Sequence, residues 1–311
     1  MKNKSIKIIT ILFLAISLTG CTKYLKEDKT TVQNPETGQN LVENILCQPE
    51  SETTRNIYIE HGIELENLPK CNEFKINSNG YDGSLWTTIF VKPLAFLIIL
   101  IGKLVKNYGL SVIIITLLIR IALYPITKKT AMQSENMKKA KPKLDKLEEK
   151  YKGKNDQDSM MQKSQEMMMI YKEFNINPLS GCIFSLIQIP LFFAFLEALN
   201  RLPAIFEETF LGFQLGTSPL TAFKLGKWYY VIFIILVVLA TLYSFKLNST
   251  ASMNKEQEQQ MKMMMNMSIV FIGIASITMS TGIEIYWIVN SGFTIIQNLL
   301  VKRSKKNANI I

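Results

Sequence analysis

The chain has 311 residues, 48% of them hydrophobic and only 19% charged, with a formal net charge of +10. That balance fits one membrane domain with small appendages. One His and four scattered Cys provide no zinc-type ligand spacing. No aromatic-interleaved basic run suits a single-stranded nucleic-acid groove, and no nucleophile–base pair or phosphate loop points to catalysis. A non-enzyme without a cofactor is expected.

Lys2, Lys4 and Lys7 precede the apolar run Ile8–Leu18, which ends in Leu18-Thr19-Gly20-Cys21. A basic start, a short apolar region and small residues at a cleavage point describe a signal peptide over 1–20. The alternative is an uncleaved anchor with an incidental Cys. The polar segment 21–83 carries only short apolar pieces, such as Ile57-Tyr58-Ile59, and is expected to be small or partly disordered. Cys47 and Cys71 lie in it and either pair or stay free; His61 is expected at the surface.

Residues 84–108 hold an amphipathic helix whose apolar centre, Leu94–Ile101, is bracketed by Lys92 and Lys103. That interval is too short to cross a bilayer, so the helix is expected to lie in the outer interface.

The stretch Asn107–Lys129 is expected to be a single spanning helix. Gly109–Thr127 is nineteen residues, close to the roughly 20 a span needs. Its one internal charge, Arg120, lies about 12 Å from Lys128 at helical rise. A guanidinium at that depth costs about 2.5–3.5 kcal/mol on insertion scales. It either snorkels to the headgroups or faces a wet cavity and meets an anionic partner. Lys128 and Lys129 already anchor this end, which favours the cavity.

Residues 130–177 form the main soluble element. Met137, Ala140, Leu144, Leu147 and Tyr151 step by three and four, Lys152–Asp156 reads as a turn, and Met160, Ser164, Met167, Tyr171 and Phe174 repeat the step. This is a helical hairpin with facing seams, in which Pro142 marks a kink or restart. Twelve Lys fall between Lys128 and Asn177, which by the positive-inside bias puts the hairpin in the cytoplasm.

The second span, Pro178–Asn200, contains Gln188, Pro190 and Glu197. Arg201–Lys227 is an external loop. Trp228–Phe245, Met263–Met279 and Ile283–Val301 are three further spans, and Lys302, Arg303, Lys305 and Lys306 close the chain on the cytoplasmic side. The fold class is thus an all-α polytopic membrane protein: five transmembrane helices within a core at 109–306, a short tail at 307–311, an interfacial helix and a cytoplasmic hairpin. Ten of the fifteen Met cluster at 160–169 and 261–267. They serve either ordinary packing or a pliable surface for varied clients.

Three stretches carry a family resemblance. Lys141–Leu199, with its KPKLDKLEEKY start and IPLFFAFLEAL end, is similar to the hairpin and second span of the YidC/Oxa-type membrane protein insertases. ITLLIRIALYPITKK resembles that family's first span, and IEIYWIVNSGFTIIQNLLVKR its last. The Leu18–Cys21 run resembles a bacterial lipobox, which would make Cys21 a lipid-modified residue outside the cell, as in the lipoprotein form of Gram-positive-type bacteria. Ser280-Thr281-Gly282 departs from the family's usual Pro-Ala-Gly-like turn. The resemblance implies a client groove open to cytoplasm and lipid. Arg120 matches its arginine, and Gln188 and Trp287 match lining positions. Gln188 could instead satisfy backbone freed by Pro190, and Trp287 could be a belt residue. Implied partners are nascent membrane-protein clients, the ribosome, a targeting receptor, membrane lipid and a Sec translocon, in the bacterial cell membrane. The alternative is a secondary transporter binding an anionic solute at Arg120. Five spans do not halve, and no repeat is visible.

Overall fold

The computed structural model describes residues 22–78, 84–154, 156–177, 180–248 and 255–307. The expected signal peptide, Cys21 and the last tail residues lie outside them. Nine longer helices follow in order: α1 (Glu52–Glu60), α2 (Lys92–Val105), α3 (Tyr108–Ala122), α4 (Tyr124–Lys150), α5 (Gln157–Glu173), α6 (Ser180–Arg201), α7 (Val231–Asn248), α8 (Lys255–Thr278) and α9 (Thr281–Asn307). Two small antiparallel hairpins accompany them, β1 (Lys26–Glu27) with β2 (Thr30–Thr31) and β3 (Thr209–Phe210) with β4 (Phe213–Gln214).

The chain divides into two compact units. The first runs to Ile119 and adds Leu186–Val237 and Gly273–Asn290; the second takes Arg120–Ser185, Val238–Ile272 and the chain from Ser291.

In the first unit residues 22–78 form a small folded lobe, one of the two expectations for this segment. Ser51 caps α1 by accepting from the Thr54 amide. Leu25, Leu41, Val42, Ile45, Tyr58, Leu65 and Leu68 close a small core over it, and Phe206 completes that core from the distant loop after α6. Cys47 and Cys71 form a disulfide and join a second, larger core. There they meet Trp86, Ile98 and Ile99, Val112 and Ile115 of α3, Phe195 of α6 and Tyr286 of α9. The periodicity was invisible because this lobe is built from turns and bridges, whose apolar residues keep no helical or strand step. His61 is half-buried, its Nδ1 2.7 Å from the Ile57 carbonyl.

Three segments expected outside the cell meet in this unit. The Thr217 hydroxyl donates to the Thr37 carbonyl (2.8 Å), and Glu207 accepts from the Glu50 amide (2.8 Å). From the turn before α9, the Thr281 and Gly282 amides donate to Thr217 (3.0 Å) and Leu215 (2.9 Å).

The amphipathic helix α2 begins with a π-helical turn, Thr87–Val91, where the Lys92 amide reaches back to the Thr87 carbonyl just before Pro93. Lys106 ends it in the left-handed conformation. Its lysines face the lobe: Lys92 Nζ donates to the Ser78 carbonyl (2.8 Å), and Lys103 Nζ to that of Asn72. Acceptors only six residues apart hold both ends of α2 alongside one strip of the lobe.

In the second unit, Met137, Ala140 and Leu144 of α4 pack against Tyr171 and Ile176, with Met167, Ile170 and Phe174 beside them. The hairpin is as expected, with its turn at Gly153, a position with φ +80 that suits glycine. Two differences stand out. Met160 is exposed and so is Ser164; near the turn, ion pairs Lys163–Glu148 (2.8 Å) and Lys150–Glu166 (2.6 Å) replace the apolar seam. Pro142 neither ends nor restarts α4, which runs on to Lys150.

The expected straight helix Asn107–Lys129 is instead broken at Leu123, with Pro125 in the first turn of α4. A proline ring there disfavours continuation from the preceding helix. Among the described residues Thr87–Val105, Trp228–Leu247 and Gln259–Thr278 are long and apolar enough to cross a membrane, the first because the helical stretch extends beyond the Lys92–Lys103 interval expected to be too short; α3 and α4 together add a fourth, broken candidate.

Candidate functional site: a polar interior beside Arg120

Arg120 opens the second unit in the last turn of α3, where helix carbonyls favour a cation. It is 2% exposed. Elsewhere in this unit the described helices bury several hydroxyls and amides. On α9 they are Ser291, Thr294, Gln297 and Asn298, spaced by three and four so that they share one face. On α4 Thr127 and Ser134 are buried beside Ala131 and ahead of the apolar hairpin seam, and on α7 Thr241 is buried. The Thr127 hydroxyl lies 3.0 Å from Gln297 Oε1, and the Asn298 amide donates to the Thr294 carbonyl (2.9 Å). Lys138 of α4 donates to the Leu247 carbonyl of α7 (2.9 Å).

The outside of these helices is the reverse. Leu239, Leu242, Val270, Phe271, Ile296 and Leu300 are all exposed. A water-soluble protein hides such residues; a lipid-facing one displays them and turns its polar groups inward. Met160, Met161, Met168 and Met169 of α5 and Met263, Met264 and Met267 of α8 are exposed too, so these Met do not serve internal packing.

Gln188 and Trp287 fall in the first unit, both half-buried. Phe192, one turn beyond Gln188, sets its ring edge against Trp287 (centroids 5.1 Å), and Phe195 stacks on Tyr286 (4.1 Å). Trp287 is therefore packed into an aromatic cluster. Cys21 lies outside the described residues.

The first unit also buries charge that the sequence reading passed over. Arg201 and Glu197, one turn apart on α6, pair at 3.3 Å with both side chains at or below 2% exposure. Arg201 Nε donates to the Asn44 carbonyl (2.7 Å) and Nη1 to the Thr87 hydroxyl (2.8 Å). The Trp86 indole donates to Glu197 (2.9 Å). The i, i+4 spacing of opposite charges at a span end was the available signal. Glu284 at the start of α9 is fully buried as well. Among the described residues no group of three or more His, Cys, Asp or Glu is placed to hold a metal.

An apolar exterior, buried hydroxyls and amides beside Arg120, and a charged helical hairpin define a polytopic membrane protein. A family model described as 60Kd inner membrane protein matches residues 100–308. A membrane protein insertase YidC from Oceanobacillus iheyensis is 31% identical over 244 residues, covering 76% of this chain and 91% of that protein. The insertase MisCA of Bacillus subtilis is 34% identical over 238 residues, covering 76% and 86%. The chain belongs to the 60Kd inner membrane protein family, which includes the YidC-type insertases. A solved active YidC insertase superposes with a TM-score of 0.45 at 22% identity, covering 72% of this chain and 48% of that one. These relatives give the transporter alternative no support.

Proposed function

We propose that this chain is a membrane protein insertase in which Arg120 and the polar faces of α4, α7 and α9 ease the passage of acidic or polar client tails. The observation that carries this reading is the inverted burial of the second unit. An Asp at the bilayer centre costs about 2.5–3.5 kcal/mol on insertion scales. A cation 4 Å away returns about 1–4 kcal/mol, depending on how wet the site is, enough to offset most of that cost. Apolar client helices then leave into lipid, downhill by a few tenths of a kcal/mol per Leu or Ile. Gln188 and Trp287 are proposed to touch clients from the first unit, and the exposed Met of α5 and α8 to receive their apolar segments.

The proposed topology has five spans, a lipid-modified Cys21 outside and the hairpin and C-terminus in the cytoplasm, within reach of the ribosome, a targeting receptor and a Sec translocon. Hydrogen bonds among the lobe, the loop after α6 and the turn before α9 support one common side for those three. Clamping of both ends of α2 to the lobe supports an interfacial position for that helix.

The test uses paired clients identical except for one tail acid, inserted into vesicles carrying Arg120 variants. Arg120→Lys retains the cation and should keep much of the activity. Arg120→Ala and Arg120→Glu should impair the acid-bearing client more than its neutral twin. Equal efficiency across each pair would reduce Arg120 to a topology anchor.

A further inference from the structure

The small hairpin β3–β4 has an unusual tip. Its two turn residues, Leu211 and Gly212, both have positive φ (51° and 83°), as a tight two-residue hairpin turn requires. Asn or Asp normally occupies the first of these positions, and the other hairpin does place Asp28 at φ 53. Here a leucine takes the left-handed position and is 80% exposed. The conformation is strained in any solvent, and the exposure is unfavourable in water.

The surroundings set the depth of this tip. Phe210 lies against Gly109 at the start of α3, so closely that a Cβ there would sit 2.6 Å from Phe210 Cβ. Phe213 packs edge-on against Tyr229, Tyr230 and Phe233 (5.5, 5.2 and 4.8 Å between centroids), and the Gln214 amide donates to the Tyr230 hydroxyl (2.7 Å). The hairpin is thus fixed to the first turns of two apolar helices, level with their polar–apolar boundary. The neighbouring stretch exposes Phe223, Leu225, Trp228 at 70%, and Tyr229, alternating with exposed Lys224 and Lys227. Aromatic rings with interspersed lysines suit the headgroup region. Farther along α7, Ile232, Ile235 and Leu236 are exposed as well.

We infer that the Thr209–Tyr229 loop is an outer-leaflet anchor, with Leu211 at the headgroup–acyl boundary and Lys224 and Lys227 among anionic headgroups. The occupant of this patch is lipid. It gives the first unit a fixed depth at the ends of α3 and α7, independent of any acyl chain on Cys21.

The test places a solvatochromic fluorescent amino acid at position 211, or at 28 as control, in the full chain in vesicles containing phosphatidylglycerol. At 211 the emission should be blue-shifted, and nitroxide on the upper acyl chain should quench it several-fold more than at 28. Iodide in the outer buffer should quench the two sites in the opposite order. Replacing phosphatidylglycerol with phosphatidylcholine should reduce the nitroxide quenching at 211, and K224Q/K227Q should abolish that lipid dependence. Equal iodide access at 211 and 28 would overturn the inference. So would a photo-crosslink from 211 to a second copy of the chain in place of lipid.

Discussion

Arg201→Ala tests how firmly the lobe of residues 22–78 is held. The change removes one partner of a fully buried pair and the side-chain bonds to Asn44 and Thr87. It leaves the Glu197 carboxylate, which also accepts from the Trp86 indole, buried without this arginine. Breaking a buried pair in this way costs about 3–5 kcal/mol. At about 1.4 kcal/mol per decade, that is a rise in local opening of about a hundredfold to a few thousandfold. The reporter is the Leu46 amide, which donates to the Arg201 backbone carbonyl (2.9 Å) and keeps that acceptor in the variant. Hydrogen exchange of residues 41–47 in lipid nanodiscs should accelerate by about that factor. Arg201→Met with Glu197→Gln should recover much of the loss, since no lone charge stays buried. Acceleration below tenfold in the single variant would refute the reasoning and leave the apolar core as the principal fastening.

Further expectations follow from the same unit. Cys47→Ser with Cys71→Ser removes a link across a sequence separation of 24 and should destabilise the lobe by about 3 kcal/mol, seen as a lower thermal midpoint that matches the wild type under reductant. Gly109→Leu should displace the β3–β4 hairpin, because even a Cβ meets Phe210; adding Phe210→Ala should restore Tyr229 and Tyr230 fluorescence and hairpin protection. Burial holds the Glu207 carboxyl above the usual glutamate value of 4.5, partly countered by the Glu50 and Ser51 amides. The folded form therefore binds the proton at higher pH than the unfolded form, and docking of the lobe should tighten as pH falls from the raised value toward 4.5 and weaken as it rises. Glu207→Gln should flatten that dependence in pH-resolved exchange.

Periodicity carried the hairpin and the apolar helices, because one buried face on a regular helix leaves a regular mark in the sequence. It failed where the buried groups were not a stripe of apolar residues. The lobe after Cys21 borrows Phe206 from far along the chain, and no local pattern announces a loan of that kind. The polar face of α9 was present as Ser291, Thr294, Gln297 and Asn298, yet it lay within a stretch scored only for apolarity. The break at Leu123 was signalled by Pro125, but the surrounding hydrophobic run masked it. Arg120 stood out because one charge in nineteen apolar residues needs a reason. Glu197 and Arg201 together neutralise each other and drew less notice.

The borrowed Phe206 also sets an order of birth. In the proposed topology residues 22–78 reach the far side of the membrane early in synthesis, but their small core lacks a member, and Leu46 lacks its acceptor on Arg201, until α6 has been made and threaded. The first-made lobe must therefore wait, partly open, for the delivery of a later segment to the same compartment. In that topology the finished lobe would report that α6 has arrived on the same side, and a copy threaded backwards would carry an unfinished, protease-sensitive lobe.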